Sequence, residues 1–155
     1  MLHHAAILLL LCLGLPLGQA AGRTGAAVTG HPLATKAAMN AFERGGNAVD
    51  ATVAAALALG VVDGFNSGIG GGCFMLIRKP NGSFVAIDGR ETAPLKAERD
   101  MYLRDGKAKP ELSRTGALAI GVPGALAAYD LAIRQHGNID LAEHLGLGLG
   151  LGLGL

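Results

Sequence analysis

Apolar residues first fall into a helical period at residues 32–46. In HPLATKAAMNAFERGG, Pro32 suits a first helical position, Ala37, Ala38, Ala41 and Phe42 mark one face, and Gly45-Gly46 provides the stop. Asn47 then offers an N-cap, with Asp50 three residues on, to a second helix, AVDATVAAALALGVV. That segment is alanine-rich on nearly all sides, which predicts burial and close approach by its neighbours. After Gly60 the period changes. CFMLIRKPNGSFVAIDGR reads as two strands of branched and aromatic residues, joined by a turn at Lys79-Pro80-Asn81-Gly82 whose Asn-Gly favours a hairpin. A polar loop follows to about Ser113. TGALAIGVPGALAAYDLAIRQHG then predicts a short strand, a helix starting near Pro123 and a C-cap at Gly137.

The two ends follow other rules. MLHHAAILLLLCLGLPLGQA resembles an export leader: Ala5 to Leu15 is apolar, Pro16 breaks the helix, and Gly18 and Ala20 put small residues at the cleavage positions. His3 and His4 stand where Lys or Arg is usual. The stretch is too short to span a bilayer, and Cys12 lacks the context of a lipoprotein site. Cleavage near Ala20 would give a periplasmic or extracellular chain whose one remaining cysteine, Cys73, has no disulfide partner. At the far end, Asp140 and Glu143 announce a helix with a capping pair. From Leu145 to Leu155, however, Leu and Gly alternate without exception. Each interior glycine costs a helix about 1 kcal/mol relative to alanine, so the helix is not expected to continue. The alternation reads as a low-complexity artefact or a truncation rather than a membrane or assembly tail. Residues 1–20, 21–144 and 145–155 are thus leader, folded portion and tail.

Composition narrows the classes. The 155 residues fit one domain, and 50% apolar with 16% charged residues fits a globular chain. A formal charge of +1 and 4% aromatics provide neither a basic footprint nor stacking platforms for nucleic acid. The densest glycine cluster, NSGIGGGCFML (residues 66–76), is not a Walker loop, since it lacks Lys-Ser or Lys-Thr. A dinucleotide pattern begun at Gly68 would need glycine where Cys73 stands. That fingerprint also follows a strand and opens a helix, whereas this loop does the reverse. Cys73 has no second cysteine or clustered histidine beside it and reads as a small core hydrophobe. No metal and no cofactor is expected.

Three blocks, HPLATKAAMNAFERGGNAVDATVAAALALGVVDGFNSGIGGGCFMLIR, IDGRETAP and SRTGALAIGVPGALAAYDLAIRQHG, together resemble the amino-terminal part of gamma-glutamyltransferases over about residues 25–144. The resemblance implies an N-terminal-nucleophile hydrolase with an αββα sandwich, of which this α+β chain would supply part. In that family a precursor cuts itself, and the new terminal threonine of the smaller, C-terminal subunit attacks a gamma-glutamyl carbonyl. The acyl group passes to water or to an amino acid or peptide acceptor, with glutathione as the typical donor. An amino terminus acting as base for its own hydroxyl, with backbone donors for the oxyanion, suits that chemistry. The implied partners are therefore a gamma-glutamyl donor such as glutathione and the small catalytic subunit; no nucleic acid and no stable membrane span is expected. Half a sandwich would leave hairpin edges and apolar helix faces uncovered, which favours association.

One site residue carries over: Arg90 of the RETAP segment matches the arginine that grips the donor's α-carboxylate. A planar guanidinium at the rim of an apolar strand suits bidentate carboxylate binding. On the residues alone, a salt bridge to Asp88 or Glu91, or a solvated strand end, stands beside that reading. The family usually has a bulky residue before this arginine, so Gly89 predicts a looser loop. His31 reads as a helix-start residue satisfying backbone groups, Asp50 as a cap and Arg114 as surface. No catalytic residue is assigned. The family's threonine and oxyanion glycines lie in the C-terminal subunit, and neither Thr92 nor Thr115 begins a plausible self-processed chain. The 155 residues are thus expected to be inactive alone. The alternatives are a stand-alone module binding gamma-glutamyl peptides through Arg90, a related exported acylase fragment, and a membrane-associated protein with a Gly-Leu tail.

Overall fold

A computed structural model describes residues 25–153. The expected leader, residues 1–20, lies outside them. Four helices and one principal hairpin follow in order: α1 Pro32–Glu43, α2 Ala48–Val62, β1 Cys73–Arg78, β2 Phe84–Gly89, α3 Ala125–His136 and α4 Leu141–Leu153. A two-residue pair, β3 Leu103–Arg104 and β4 Lys107–Ala108, and two 3₁₀ turns lie between β2 and α3. The fold is α+β, with small antiparallel sheets.

The first two helices form where their caps predict. Pro32 opens α1, with His31 before it as N-cap: His31 Nδ1 accepts the Leu33 N–H at 3.2 Å. The chain leaves α1 through Gly45, whose φ of +89° is a left-handed conformation that favours glycine. Asn47 and Asp50 then make a full capping box on α2. α2 has two working faces. Ala51, Ala54, Ala55 and Ala58 meet Ala34, Ala37, Ala38 and Ala41 of α1 in a seam of methyl groups that costs almost no side-chain entropy to order. Val49, Val53 and Leu57, four residues apart, instead join Met75, Ile87, Tyr129 and Ile133 in the main core. α2 is therefore the central rod, with α1 on one side, α3 and the hairpin on the other, and α4 laid across α1 and α2.

In the hairpin Met75 pairs with Ile87 and both are buried. Phe74, Leu76 and Phe84 alternate to the opposite face and are 68%, 71% and 61% exposed. The Asn-Gly turn sits as predicted, with Gly82 at φ +85° and the Lys79 N–H donating to the Ser83 carbonyl at 2.8 Å.

Three segments differ from the sequence reading. The polar loop contains the β3–β4 pair, turned by Asp105 and Gly106 with φ of +51° and +69°, both positive as a tight hairpin turn requires. The short strand before α3 is reduced to one bridge, Thr92 to Val122, preceded by a 3₁₀ turn at Ala117–Ala119. α4 does not stop at the Leu-Gly alternation but runs to Leu153. Asp140 caps it, accepting the Glu143 N–H at 2.9 Å, and Leu141 and Leu145 pack on the core. Once that first turn is anchored, each further residue adds a hydrogen bond without repeating the nucleation cost.

Candidate functional site

β2 delivers the chain to Arg90. Its last residue, Gly89, is buried, and the next amide turns back so that Arg90 N–H donates to Asp88 Oδ1 at 2.9 Å. Two residues on, Thr92 and Val122 exchange backbone hydrogen bonds of 3.2 and 2.8 Å, which pins the segment beyond. Between these fixed points the Arg90 side chain is exposed, and its guanidinium makes no hydrogen bond or ion pair with a described residue. The salt bridge to Asp88 or Glu91 is not formed: Asp88 serves the Arg90 backbone instead. A guanidinium held by its backbone and free at its tip can accept a carboxylate without first breaking another pair.

The glycine loop packs beside this strand end. The Gly71 carbonyl accepts the N–H groups of Gly124 and Ala125, both at 3.1 Å, and so satisfies the start of α3, whose N-cap has no side chain to do it. Close approach explains two of the glycines. A Cβ on Gly72 would stand 2.7 Å from the Gly89 carbonyl oxygen and 2.9 Å from Arg90 Cα. A Cβ on Gly124 would stand 2.4 Å from that same oxygen and 2.8 Å from the Arg90 carbonyl oxygen. Gly89 is equally confined, since its own Cβ would lie 2.6 Å from Ala128 Cβ. This corrects the expectation of a looser loop. The residue before Arg90 is small because α3 presses against it, and the segment is tightly held.

Glu91 folds its carboxylate over the same loop, within 2.7 Å of where a Gly72 Cβ would lie. Leu59, Phe65, Ser67, Gly70, Glu91 and Tyr129 help line a cleft of about 620 Å³ there. Burial pushes the Tyr129 phenol up, with Cys73 nearby adding to it, and burial raises the Cys73 thiol. A thiol shifted that way is a poor nucleophile, and half-buried Cys73 packs against the main core as expected. Among the described residues no three His, Cys, Asp or Glu side chains are placed to hold a metal ion.

The other residues singled out in the sequence stay apart from this cleft. His31 caps α1, and exposed Arg114 follows a 3₁₀ turn through its backbone. Thr92 is in the bridge and Thr115 in an exposed bend. Asp50 does more than cap. Its carboxylate accepts the N–H groups of Asn47 at 2.7 Å, Asn138 at 3.0 Å and Ile139 at 3.0 Å, and lies 3.1 Å from His144 Nε2. Asp50 and His144 are fully buried. A carboxylate can only accept, so the ring proton facing it is on Nε2. Sequence reading passed over His144 and Gly124, because their partners stand 94 and 35 or 53 residues away and no short motif reports such pairs.

Residues 34–150 match the family model described as gamma-glutamyltranspeptidase. Glutathione hydrolase 2 of Arabidopsis thaliana is 48% identical over 115 residues, covering 74% of this chain and 19% of that protein. The Acylase ACY 1 proenzyme of Pseudomonas sp. (strain V22) is 44% identical over 133 residues, or 81% of this chain and 24% of the other. The crystal structure of Helicobacter pylori gamma-glutamyltranspeptidase superposes with a TM-score of 0.77 at 42% identity, over 82% of this chain and 37% of that one. The chain spans about a fifth of the length of the curated relatives it matches.

Proposed function

Because this chain belongs to the gamma-glutamyltranspeptidase family, we propose that it is the donor-gripping, amino-terminal part of an exported enzyme that cleaves gamma-glutamyl bonds. Glutathione is the proposed donor, and water or an amino acid or peptide the acceptor. The helices and hairpin would form one flank of an αββα sandwich, and the attacking threonine would come from the carboxy-terminal subunit.

The observation that carries the reading is Arg90, exposed and unpaired with any described residue at a clamped strand end, next to Glu91 of the cleft lining. An α-carboxylate meets that guanidinium through two parallel N–H···O bonds, which fixes the donor's position as well as binding it. Holding the donor is then this segment's contribution to kcat/KM. An acylase of related design is the second reading, supported by the likeness to the Pseudomonas acylase.

The test is a chimera in which residues 25–144 replace the matched segment of the Helicobacter pylori relative. It should process itself and release product from a gamma-glutamyl anilide. Arg90→Ala should cost about 2–5 kcal/mol in kcat/KM for that donor, as for a charge deprived of its buried partner. Arg90→Lys should recover only part, lacking the planar fork. A chimera that never processes itself, or an Arg90→Ala variant within twofold of its parent, overturns the reading.

A further inference from the structure

We infer that Gly72 and Gly124 are positioning residues for Arg90, acting as the two jaws of a backbone clamp on the end of β2. The inference rests on the reading of Arg90 given above and adds how its guanidinium is held in place.

The jaws come from opposite directions in the chain, one ending the glycine loop and one starting α3. Both converge on a single peptide, that between Gly89 and Arg90. The Gly89 carbonyl oxygen would lie 2.7 Å from a Cβ on Gly72 and 2.4 Å from one on Gly124. Both distances are inside van der Waals contact, and the obstacle is backbone, which cannot swing aside as a side chain can. The jaws are also tied to each other, because Gly71 accepts the Gly124 and Ala125 amides at 3.1 Å. A methyl at either jaw must therefore push the Arg90 peptide outward or part the loop from α3. Each movement displaces the root of a long side chain, and bidentate pairing tolerates little displacement.

The confinement is particular to these positions. Nothing lies within 4 Å of a Cβ on Gly68 or Gly70, and neither has a positive φ. Four glycines close together in sequence thus divide by geometry: Gly72 is confined, a Cβ on Gly71 would meet only the Glu91 side chain, at 3.3 Å, and Gly68 and Gly70 are open. General loop flexibility would make no such distinction.

The experiment uses the self-processing chimera and compares Gly72→Ala, Gly124→Ala, Gly64→Ala and Arg90→Ala. Gly72→Ala should raise the donor KM at least tenfold while kcat for bound donor, acceptor dependence and self-processing change less than threefold. Gly64→Ala, where nothing lies within 4 Å of a new Cβ and which is outside the cleft lining, should be silent. In an Arg90→Ala background, Gly72→Ala should add no further loss, and against a donor analogue lacking the α-carboxyl group it should lose nothing. A Gly72→Ala loss that persists in either setting makes its role structural and overturns the clamp. So does a Gly72→Ala variant that circular dichroism shows unfolded, or equal effects at all three substituted glycines. Gly124→Ala meets the shorter contact and should behave as Gly72→Ala or worse; a silent Gly124→Ala removes that jaw. If Arg90→Ala alone is silent, the function reading fails. If Arg90→Ala is costly and Gly72→Ala silent, the clamp alone fails.

Discussion

Replacing Asp50 by Asn changes one oxygen to an NH₂ group at the most heavily used acceptor in the fold. In the parent, Oδ2 takes the Asn47 amide at 2.7 Å, Oδ1 takes Ile139 at 3.0 Å and faces His144 at 3.1 Å, and Asn138 is shared between both oxygens. An asparagine amide facing either way keeps one set and sets a donor against the other. At least one buried N–H is left unpaired beside a new N–H, at about 1–3 kcal/mol each, so Asp50→Asn should cost about 2–4 kcal/mol. Asp50→Ala strips every donor of its acceptor and should cost more, about 4–6 kcal/mol, against a total stability of about 5–15 kcal/mol for an ordinary domain. Urea unfolding of the self-processing chimera bearing each substitution, followed by circular dichroism, reads this directly. The Asn variant should lose about 1–2 M in midpoint with an unchanged slope. Glu143→Gln is the control, because the Arg44–Glu143 pair is exposed and worth under about 1 kcal/mol.

The pH dependence supplies an independent arm. Burial alone would raise the Asp50 carboxyl, but the hydrogen bonds from Asn47, His144, Asn138 and Ile139 outweigh it and hold the group below its ordinary range. A lowered folded value means stability fully present above the unfolded value of about 3.9 and lost as pH falls through the folded one. The gap between parent and Asp50→Asn should therefore be full near neutrality and shrink below about pH 4. A variant within about 0.5 kcal/mol of the parent, the scatter of ordinary surface substitutions, or a gap that widens in acid, would refute the hub.

Three further outcomes are expected. Gly146→Ala and Gly150→Ala on α4, where nothing lies within 4 Å of a new Cβ, should each raise stability by about 0.5–1 kcal/mol; a lower thermal midpoint would show that the helix does not run through them. Mass spectrometry of exported protein should find Ala21 as the first residue, and an intact Met1 would rule out cleavage. The 155-residue chain alone should release no product from a gamma-glutamyl anilide; measurable turnover would require a nucleophile among Thr92, Thr115 and the other hydroxyls.

What the sequence disclosed was local. The His31–Pro32 start, the Asn47–Asp50 box and the Lys79–Gly82 turn each complete their hydrogen bonds within five residues, so their chemistry stands in adjacent letters. The two faces of α2 were partly legible: its alanine content announced close neighbours, but not that alanines at 51, 54, 55 and 58 would face α1 while 49, 53 and 57 faced the sheet. The Asp105-Gly106 turn was present as a signal and passed over because its flanks are charged and two residues long. Arg90 was singled out through the resemblance of its motif and the apolar strand before it. Its setting was not, because the jaws at Gly72 and Gly124 depend on tertiary packing that no window of sequence contains. For the same reason Gly89 suggested slack where packing imposes the opposite.

The hairpin's outward face carries a consequence in time. Phe74, Leu76 and Phe84 stand uncovered on a two-stranded sheet with both outer edges open. In a protein of the relatives' length, roughly four fifths of the chain is still to be made when these residues leave the ribosome. At synthesis rates of about 5–20 residues per second, that is on the order of half a minute to a minute and a half. During that interval two nascent copies can pair their strands as readily as one copy can wait for its own later residues. Slower growth, lower temperature or a holdase shifts that race without altering a single contact in the finished fold. Yield of such a protein is thus set by the order of its synthesis as much as by its stability.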